Sequence, residues 1–365
     1  MAKNATLNAA KDAKHDEYYT RYDDIQAELN HYEEHFNGKT VFCNCDDPYE
    51  SNFCKFFLKN FNYLKLKRLI CTSYRSSPVI GTQMTLFDYL GEPVRKENGY
   101  VIDISEVPMA NGRGVSDDDI EKLLKSKRRG VKKLDGDGDF RSDECIEYLK
   151  QSDIVVTNPP FSLLIEYFMQ LIEYNKKFLI IGNPNAIHYK EIFPLVKNNK
   201  IWVGYKSMSA DMLFDVDTEF ANWLVANKKQ GSGYKIVDGI VKGRAQAIWF
   251  TNLDIKKRHE KLIMYKHYSE NEYLQYTNFK GIDVSKVTEI PCDYYGYMGV
   301  PDSFMDSYNP DQFEICGLST GDSAKEIGIQ KNYRGRTDLA YIKNGKHSCP
   351  FSRIIIRRKE NKDGN

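Results

Sequence analysis

A polar and proline-rich segment, Asn158-Pro159-Pro160-Phe161, directly follows a run of β-forming residues at 154–157. In open α/β sheets, ligands bind beyond the carboxyl ends of the strands. Asn158 offers a side-chain carbonyl there, and Pro159 offers a main-chain carbonyl whose direction is held by two fixed φ angles. Two such acceptors can hold both N–H groups of one amine, and Phe161 offers a flat face for an aromatic ring. The segment therefore predicts chemistry on an exocyclic amine; the alternative is a turn that only ends the strand.

Methyl transfer is the reaction that these groups suit. An exocyclic amine is a poor nucleophile because its lone pair is delocalised into the ring, and two acceptors would favour a tetrahedral nitrogen with its lone pair aimed at a methyl donor. No general base is needed before transfer, so catalysis would rest on orientation and preorganised hydrogen bonds. The segment resembles the [DNS]PP[YFW] motif of amino-methyltransferases, which use S-adenosylmethionine.

Composition describes an ordinary globular protein without a global basic signature. The chain has 365 residues, of which 41% are hydrophobic and 28% charged, and its formal net charge is +1. No apolar run approaches the roughly 20 residues that span a bilayer. The first residues lack the apolar segment of a signal peptide, so we expect a cytoplasmic protein with no membrane partner. The eight cysteines form no CxxC pair, and we expect free thiols and no metal site.

Helices and strands alternate through the first two thirds of the chain. Apolar and tyrosine residues spaced four and three apart predict an amphipathic helix over 16–36. Near-continuous apolar strands separated by helices then indicate a parallel sheet covered on both faces. A helix is predicted to start at Ser142, and a short helical pattern occupies 309–315. The fold class expected is α/β, a doubly wound, mainly parallel seven-stranded sheet of the Rossmann-like methyltransferase kind.

The places where this alternation fails divide the chain into three expected regions. Residues 1–205 with 246–254 are expected to form an S-adenosylmethionine-dependent catalytic domain. The polar, glycine-rich stretch 206–245 is expected to be an inserted loop region. Residues 255–365 are expected to form a smaller, irregular region for DNA target recognition, with a final strand.

The whole chain resembles the EcoRI-type adenine-specific DNA methyltransferases. Cofactor segments precede the catalytic one, as in the γ order of motifs, and the pattern departs from the family near 106–133 and across 206–245. The segments that carry the resemblance are "DEYYTRYDDI" (16–25), "VFCNCDDPYESNF" (41–53), "DGDGDFRSDE" (135–144), "SDIVVTNPPFSL" (152–163), "KKFLIIGNPNAIHYKEIF" (176–193) and "YMGVPDSFMDSYNPDQFEI" (297–315).

The resemblance implies a set of cofactor-binding residues in addition to the catalytic segment. The first strand's loop lacks the usual glycine-rich pattern, so Asn44, Asp46 and Pro48 rest on the family alone. Asp139 and Phe140 are favoured also by their position before a helix, with an ordinary loop as the alternative. Tyr19 and Thr20 could instead be core and cap residues of the first helix. Thr72 or a neighbouring hydroxyl, or else Asp46 or Asp47, is expected to hold the ribose in place of the usual acid. The residues implied to bind S-adenosylmethionine are Tyr19, Thr20, Asn44, Asp46, Pro48, Asp139 and Phe140.

Four local clusters of basic residues predict that a protein with almost no net charge can still bind the phosphates of a polyanion. They lie at 122–133, 256–261, 331–336 and 353–359. Within the first cluster, Lys127, Arg128 and Arg129 are the predicted DNA contacts. A solvated surface is the alternative for each cluster taken singly.

The resemblance implies a site-specific DNA methyltransferase that modifies N6 of a flipped adenine in double-stranded DNA. Its role would be restriction–modification, with a cognate endonuclease as partner, or orphan methylation, and the expected state is a monomer. Transfer to RNA or to a protein glutamine through the same chemistry is the alternative, and a non-catalytic DNA-binding protein is a third class.

Overall fold

The fold is known from a computed structural model that describes residues 19–45, 51–73, 98–108, 115–125, 131–216 and 218–360. The chain divides into two units, the first drawn from residues 1–186 and 210–253 and the second from 187–209 and 254–365. All eight cysteines are free thiols. Among the described residues, no helix is long and apolar enough to span a bilayer.

The described strands are short, and they are numbered here in chain order. They are β1 (Tyr19–Thr20), β2 (Thr40–Cys43), β3 (Arg68–Thr72), β4 (Tyr100–Ile104), β5 (Val131–Lys133), β6 (Ile154–Thr157), β7 (Lys177–Gly182), β8 (Trp202–Val203), β9 (Met212–Asp215), β10 (Tyr234–Val237), β11 (Ile240–Ala245), β12 (Ile248–Thr251), β13 (Leu274–Gln275), β14 (Gly281–Asp283), β15 (Tyr297–Val300), β16 (Phe313–Leu318), β17 (Tyr341–Lys343), β18 (Lys346–Ser348) and β19 (Ile354–Arg358).

The described helices are numbered in the same way. They are α1 (Tyr22–Leu29), α2 (Glu33–Phe36), α3 (Asn52–Lys59), α4 (Asp117–Lys125), α5 (Asp143–Gln151), α6 (Leu164–Glu173), α7 (Phe193–Lys197), α8 (Thr218–Asn227) and α9 (Gly321–Glu326). Short 3₁₀ turns lie at Asn30–Tyr32, Phe161–Leu163, Pro184–His188, Lys256–His259, Val287–Glu289 and Asp302–Ser307.

A mixed sheet forms the core of the first unit, in the order β5-β4-β3-β2-β6-β7-β12. The strands β3, β2, β6 and β7 are parallel neighbours at its centre. The strands β4, β5 and β12 join it by antiparallel pairing. All residues of β2 and β6 are buried, as expected for strands covered on both faces. The predicted α/β fold is confirmed, with a sheet that is mixed.

The chain changes direction across this sheet between β2 and β6. From β2 it passes to β3 on one side, and it returns to β6 on the other side of β2. Crevices that bind ligands form at such topological switch points, outside the carboxyl ends of the two strands. The ends of β2 and β6 are therefore the place in this unit where a site is expected.

The first unit contains a second, antiparallel sheet in the order β1-β9-β11-β10. Residues 206–245, expected as an inserted loop region, contain β9, β10, β11 and α8. Asp238 and Gly239 turn β10 into β11 with positive φ angles of 51° and 78°. An Asp-Gly pair between apolar residues is a strong hairpin signal. The prediction of a loop region for this stretch did not take that signal into account.

The predicted helix over 16–36 is correct only in part. Within the described residues, Tyr19 and Thr20 belong to β1, where they pair with Asp215 and Phe214 of β9. The helical residues begin at Tyr22 and are interrupted by the 3₁₀ turn at Asn30–Tyr32. Periodicity could not reveal the short strand because its partner lies almost two hundred residues away.

The second unit is built on a five-stranded sheet, β13-β14-β15-β19-β16. The helix predicted over 309–315 is wrong, because Phe313–Leu318 forms β16 and pairs with β19. Asn309 ends the preceding segment in a turn, where its side-chain carbonyl accepts from the Asp311 N–H at 2.8 Å. Strand pairing has overridden a weak local helix signal.

Candidate active site

The Asn158 segment leaves β6 at the carboxyl edge of the sheet. Pro160, with φ −55°, begins the 3₁₀ turn at Phe161–Leu163, and α6 follows. The Leu163 N–H donates to the Pro160 carbonyl at 3.0 Å, whereas no main-chain N–H of the described residues donates to the Pro159 carbonyl. Asn158 and Phe161 are half-buried. The turn therefore occupies one of the two proline carbonyls with a main-chain hydrogen bond.

Asn44 lies next to this segment, directly after β2. Its side chain is only 2% exposed. The Oδ1 atom accepts a hydrogen bond from the Tyr167 hydroxyl of α6. Its Nδ2 atom is buried and has no hydrogen-bond partner among the described residues. Because a buried donor without a partner is costly, this amide is a candidate to bind a ligand acceptor.

Tyr167 also contacts the segment that precedes α5. Its ring packs edge-on against Phe140, with centroids 5.0 Å apart and planes at 79°. Gln170, one turn along α6, donates from Nε2 to the Phe140 carbonyl at 2.9 Å. The helix that follows the Asn158 segment thus fixes both Asn44 and Phe140. Three of the sequence segments predicted to form one site are brought together by α6.

Asp139 is held by an ion pair that the sequence reasoning missed. Arg141 donates to its carboxylate from Nε at 2.9 Å and from Nη2 at 2.7 Å, and the Arg141 N–H donates at 2.8 Å. Nη1 of Arg141 reaches Glu166 of α6 at 2.9 Å. The hydrogen bonds from Arg141 lower the pKa of Asp139, although partial burial opposes them. Asp139 is therefore ionised near neutral pH and is an acceptor only.

The segment leading to Asp139 lies against the end of β3. Gly138 has a φ of +80°, and a Cβ there would clash with the Ser73 carbonyl oxygen. Only glycine fits this position without strain. Thr72, expected as one alternative for the ribose, is fully buried at the same strand end.

Thr20 lies beside the start of α3, the helix that follows β2. Asn52 donates from Nδ2 to the Thr20 carbonyl at 2.8 Å. The Thr20 hydroxyl is buried without a hydrogen-bond partner among the described residues. Tyr19 precedes it in β1. The second sheet of the first unit therefore fixes the backbone of both residues.

Several predicted residues lie outside the described part of the chain. They are Asp46 and Pro48, with the alternative Asp47, and the DNA contacts Lys127, Arg128 and Arg129. Their roles stay predictions.

One group of potential metal ligands meets in the second unit. Donor atoms of His267, Cys292 and Asp293 lie within 4.8 Å of one another. His267 and Asp293 form an exposed ion pair at 2.9 Å, which accounts for their proximity. No metal site was predicted from the sequence, because the cysteines show no pairing with the spacing of metal ligands.

Comparison with known proteins identifies the family. The model of the family described as adenine-specific methyltransferase EcoRI matches residues 6–359. The chain belongs to this family.

Three type II methyltransferases resemble the chain over nearly its whole length. The type II methyltransferase M.EcoRI of Escherichia coli is 41% identical over 364 residues, which is 98% of this chain and 99% of the relative. The type II methyltransferase M.MpnI of Mycoplasma pneumoniae is 35% identical over 97% of this chain and 98% of its own. A type II methyltransferase of Mycoplasma genitalium, M.MgeORF184P, is 34% identical over 97% and 99%. No solved structure matches the chain. The resemblance drawn from the motifs is thereby confirmed.

Two site residues of this EcoRI-family chain were absent from the sequence prediction. Tyr167 lies on the buried face of α6, and a buried tyrosine usually finds a partner for its hydroxyl. Its place one turn into α6, the helix that follows the Asn158 segment, was the available signal. Arg141 stands two residues after Asp139, and that spacing allowed the ion pair without requiring it.

Proposed function

We propose that the protein transfers a methyl group from S-adenosylmethionine to the exocyclic N6 of an adenine at a specific site in double-stranded DNA. The role proposed is methylation in a restriction–modification system or as an orphan enzyme. Membership of an adenine-specific methyltransferase family supports this proposal. So does the group of parallel strands β3, β2, β6 and β7, which suits a Rossmann-like methyltransferase sheet.

One structural observation carries the proposal. Asn158 and Asn44 leave the adjacent parallel strands β6 and β2 at the topological switch point. Tyr167 ties the second of these residues to the helix that follows the first. An amine-binding segment and a candidate cofactor segment therefore adjoin each other at the edge where α/β sheets bind ligands.

The residues at this edge fit S-adenosylmethionine. The cofactor is rich in polar groups, and the buried Asn44 Nδ2 and Thr20 Oγ1 atoms lack hydrogen-bond partners among the described residues. Phe140 is a buried aromatic ring next to Asp139, and Asp139 is an ionised acceptor with lone pairs beyond those that Arg141 uses. We propose that Asn44, Thr20 and Tyr19 hold the amino-acid and ribose parts, and that Asp139 and Phe140 hold the adenine. When bound, the cofactor supplies an electrophilic methyl group.

The chain's own part in the reaction is orientation of the target amine. Asn158 Oδ1 and the Pro159 carbonyl each accept one N–H, which turns the nitrogen lone pair away from the ring system. The base stacks on Phe161. An adenine in duplex DNA has to leave the stack to reach these groups, at a cost of a few kcal/mol. Preorganised acceptors reduce the barrier because they need not reorient during transfer.

The second unit is proposed to recognise the DNA target. It includes none of the candidate active-site residues and contains several basic clusters. We further propose a monomer, acting in the cytoplasm where bacterial DNA lies, with an endonuclease of the same site specificity as its partner in a restriction–modification role.

Transfer of an isotopically labelled methyl group tests the proposal directly. The protein would be incubated with methyl-labelled S-adenosylmethionine and, in parallel, with duplex DNA, total RNA and total protein. Nucleoside mass spectrometry should find N6-methyladenine in the DNA alone. Label confined to RNA, to protein glutamine or to another DNA base would overturn the substrate assignment.

A further inference from the structure

The second unit contains three of the basic clusters that the sequence predicts as DNA contacts. The structure shows that they differ in how far their charges are used within the unit itself. In the cluster 256–261, Lys257 donates from Nζ to the Gly204 and Tyr205 carbonyls at 3.2 and 3.1 Å. Arg258 lies over the Trp202 ring at 3.8 Å and donates to Asn199 at 2.6 Å. These two cations stabilise the unit itself.

The cluster 353–359 is also used internally. Arg353 and Asp283 form an ion pair at 3.0 Å, and both side chains are buried. Arg357 pairs with Glu314 at 2.8 Å, and Lys359 donates to the Pro310 carbonyl at 2.6 Å. Most of the positive charge in this cluster is therefore already engaged by partners in the same unit.

The loop 331–336 differs in that all three of its cations, Lys331, Arg334 and Arg336, are exposed. None of the three has a carboxylate within ion-pair distance among the described residues. The loop therefore presents three positive charges to solvent without compensation from the fold.

A buried amide gives this loop a fixed shape. Asn332 is 8% exposed, and its Oδ1 accepts from the Arg334 and Arg336 N–H groups at 2.8 and 3.3 Å. Its Nδ2 donates to the Asp338 carboxylate at 2.6 Å. Gly335 completes the turn with a φ of +73°. The arginines thus sit on a preorganised backbone, which lowers the entropy lost on binding.

Aromatic rings position one arginine without using its hydrogen-bond donors. The Tyr333 ring stacks on His347 with centroids 4.9 Å apart and planes at 30°. The Arg334 guanidinium lies 5.0 Å from the centroid of the Tyr333 ring. A cation–π contact orients a guanidinium while its N–H groups stay available for a phosphate.

The stacked His347 belongs to the hairpin of β17 and β18, which adds further charge. Lys343 lies directly opposite Lys346 across this hairpin, and both are exposed. Like charges directly opposite each other destabilise a strand pair. A bound polyanion would remove that repulsion.

We propose that loop 331–336 and hairpin 341–348, joined by the Tyr333–His347 stack, form a basic surface that binds the phosphates of duplex DNA. Arg334 and the lysine pair Lys343 and Lys346 are its principal contacts. The inference rests on the proposed function and deepens it, because it assigns DNA contact to one of the three clusters in the second unit.

The test removes three charges from the basic surface of the full chain and measures binding as salt is varied. The variant is Arg334→Gln/Lys343→Gln/Lys346→Gln. A matched control, Lys286→Gln/Lys325→Gln/Arg357→Gln, removes three charges that already pair with carboxylates. Fluorescence anisotropy with a labelled duplex would be followed over about 50–200 mM salt.

Each phosphate contact contributes about 0.9 to the slope of log affinity against log salt. The slope measured for the basic-surface variant should therefore be smaller in magnitude by about 2 to 3. Its affinity for the duplex should be at least tenfold weaker, which corresponds to about 1.4 kcal/mol or more. The control should change the slope by less than about 1. Equal effects of the two variants, or an unchanged slope in the basic-surface variant, would overturn the proposal.

A second variant keeps the net charge constant. Tyr333→Leu removes the stack on His347 and the support of Arg334, and should weaken duplex binding several-fold without changing the thermal midpoint by more than the control does. Weakened binding to RNA with unaltered duplex binding in either variant would show that the surface serves another polymer. Methyl transfer by the wild type is measured in parallel, so absence of transfer to DNA would count against the proposed function whatever the salt slopes are.

Discussion

The hydroxyl of Tyr167 donates a hydrogen bond to the side-chain carbonyl of Asn44. This bond links α6, which follows the amine-binding segment, to the end of β2, where the cofactor is proposed to bind. The bond also fixes the orientation of the Asn44 amide: Oδ1 accepts from Tyr167, and Nδ2 stays available as a donor for a ligand. The orientation of Asn44, where the cofactor is proposed to bind, therefore depends on Tyr167, which lies in the helix that follows the amine-binding segment.

Replacement of Tyr167 by phenylalanine should weaken cofactor binding. The buried Asn44 carbonyl would keep only the weak contact from the Cys45 thiol at 3.9 Å, and an unsatisfied buried acceptor costs about 1–3 kcal/mol. We expect calorimetry to give an S-adenosylmethionine affinity lower by roughly tenfold, which corresponds to about 1.4 kcal/mol. Tyr148→Phe, half-buried in the same unit, serves as the control. Equal affinities of the two variants would mean that Asn44 does not depend on this bond.

Replacement of Phe161 by alanine should weaken capture of the target base. Stacking on an aromatic side chain is worth about 1–3 kcal/mol per base. The affinity for a duplex with a fluorescent adenine analogue at the methylated position should fall accordingly, while cofactor affinity stays nearly constant. Tyr63→Ala, at a ring that is 67% exposed in the same unit, is the control. Loss of cofactor affinity with intact base capture would place the ring on the cofactor side.

The Asp139–Arg141 pair predicts a pH-dependent stability difference. Hydrogen bonds from Arg141 lower the pKa of Asp139, so the pair stabilises the fold above the unfolded pKa of about 3.9. That stabilisation is lost as pH falls through the lower folded value. Arg141→Gln should lower the thermal midpoint at about pH 7, and its difference from the wild type should shrink below about pH 4.

Lys150→Gln is the control for this pH series, because it breaks an exposed pair with Glu147. Such surface pairs contribute little at any pH. A difference between Arg141→Gln and the wild type that persists unchanged into acid would indicate that the variant acts through packing or through Glu166.

The predicted contacts Lys127, Arg128 and Arg129 lie outside the described residues and are testable without a structure. Their replacement by alanine should weaken binding to all duplex sequences and flatten the salt slope, while the choice of methylated site stays the same. Binding and salt slope like those of the wild type would assign 127–129 to a solvated surface.

Local signals predicted those features that depend on short stretches of chain. Ser142 was predicted to begin a helix, and its hydroxyl accepts from the Cys145 N–H at 3.3 Å ahead of α5. The run at 154–157 was predicted as a strand before the Asn158 segment, and it is β6. In both cases, residues within a few positions determine the structure.

Features that depend on distant partners were not predicted. The strand Tyr19–Thr20 exists only through β9, and β16 replaces a predicted helix because it pairs with β19. The bond between Tyr167 and Asn44 joins residues more than a hundred positions apart. No periodicity encodes such contacts, because they depend on which distant segments lie side by side in the folded chain.

The most direct test of the central claim is methyl transfer by Asn158→Ala in comparison with the wild type. Removal of one preorganised acceptor should reduce the rate of N6-methyladenine formation in duplex DNA by at least about a hundredfold, with unchanged cofactor affinity and thermal midpoint. Single-turnover transfer would be quantified by nucleoside mass spectrometry. Near-normal transfer by Asn158→Ala would contradict the account, because the segment at the end of β6 would then be only a turn.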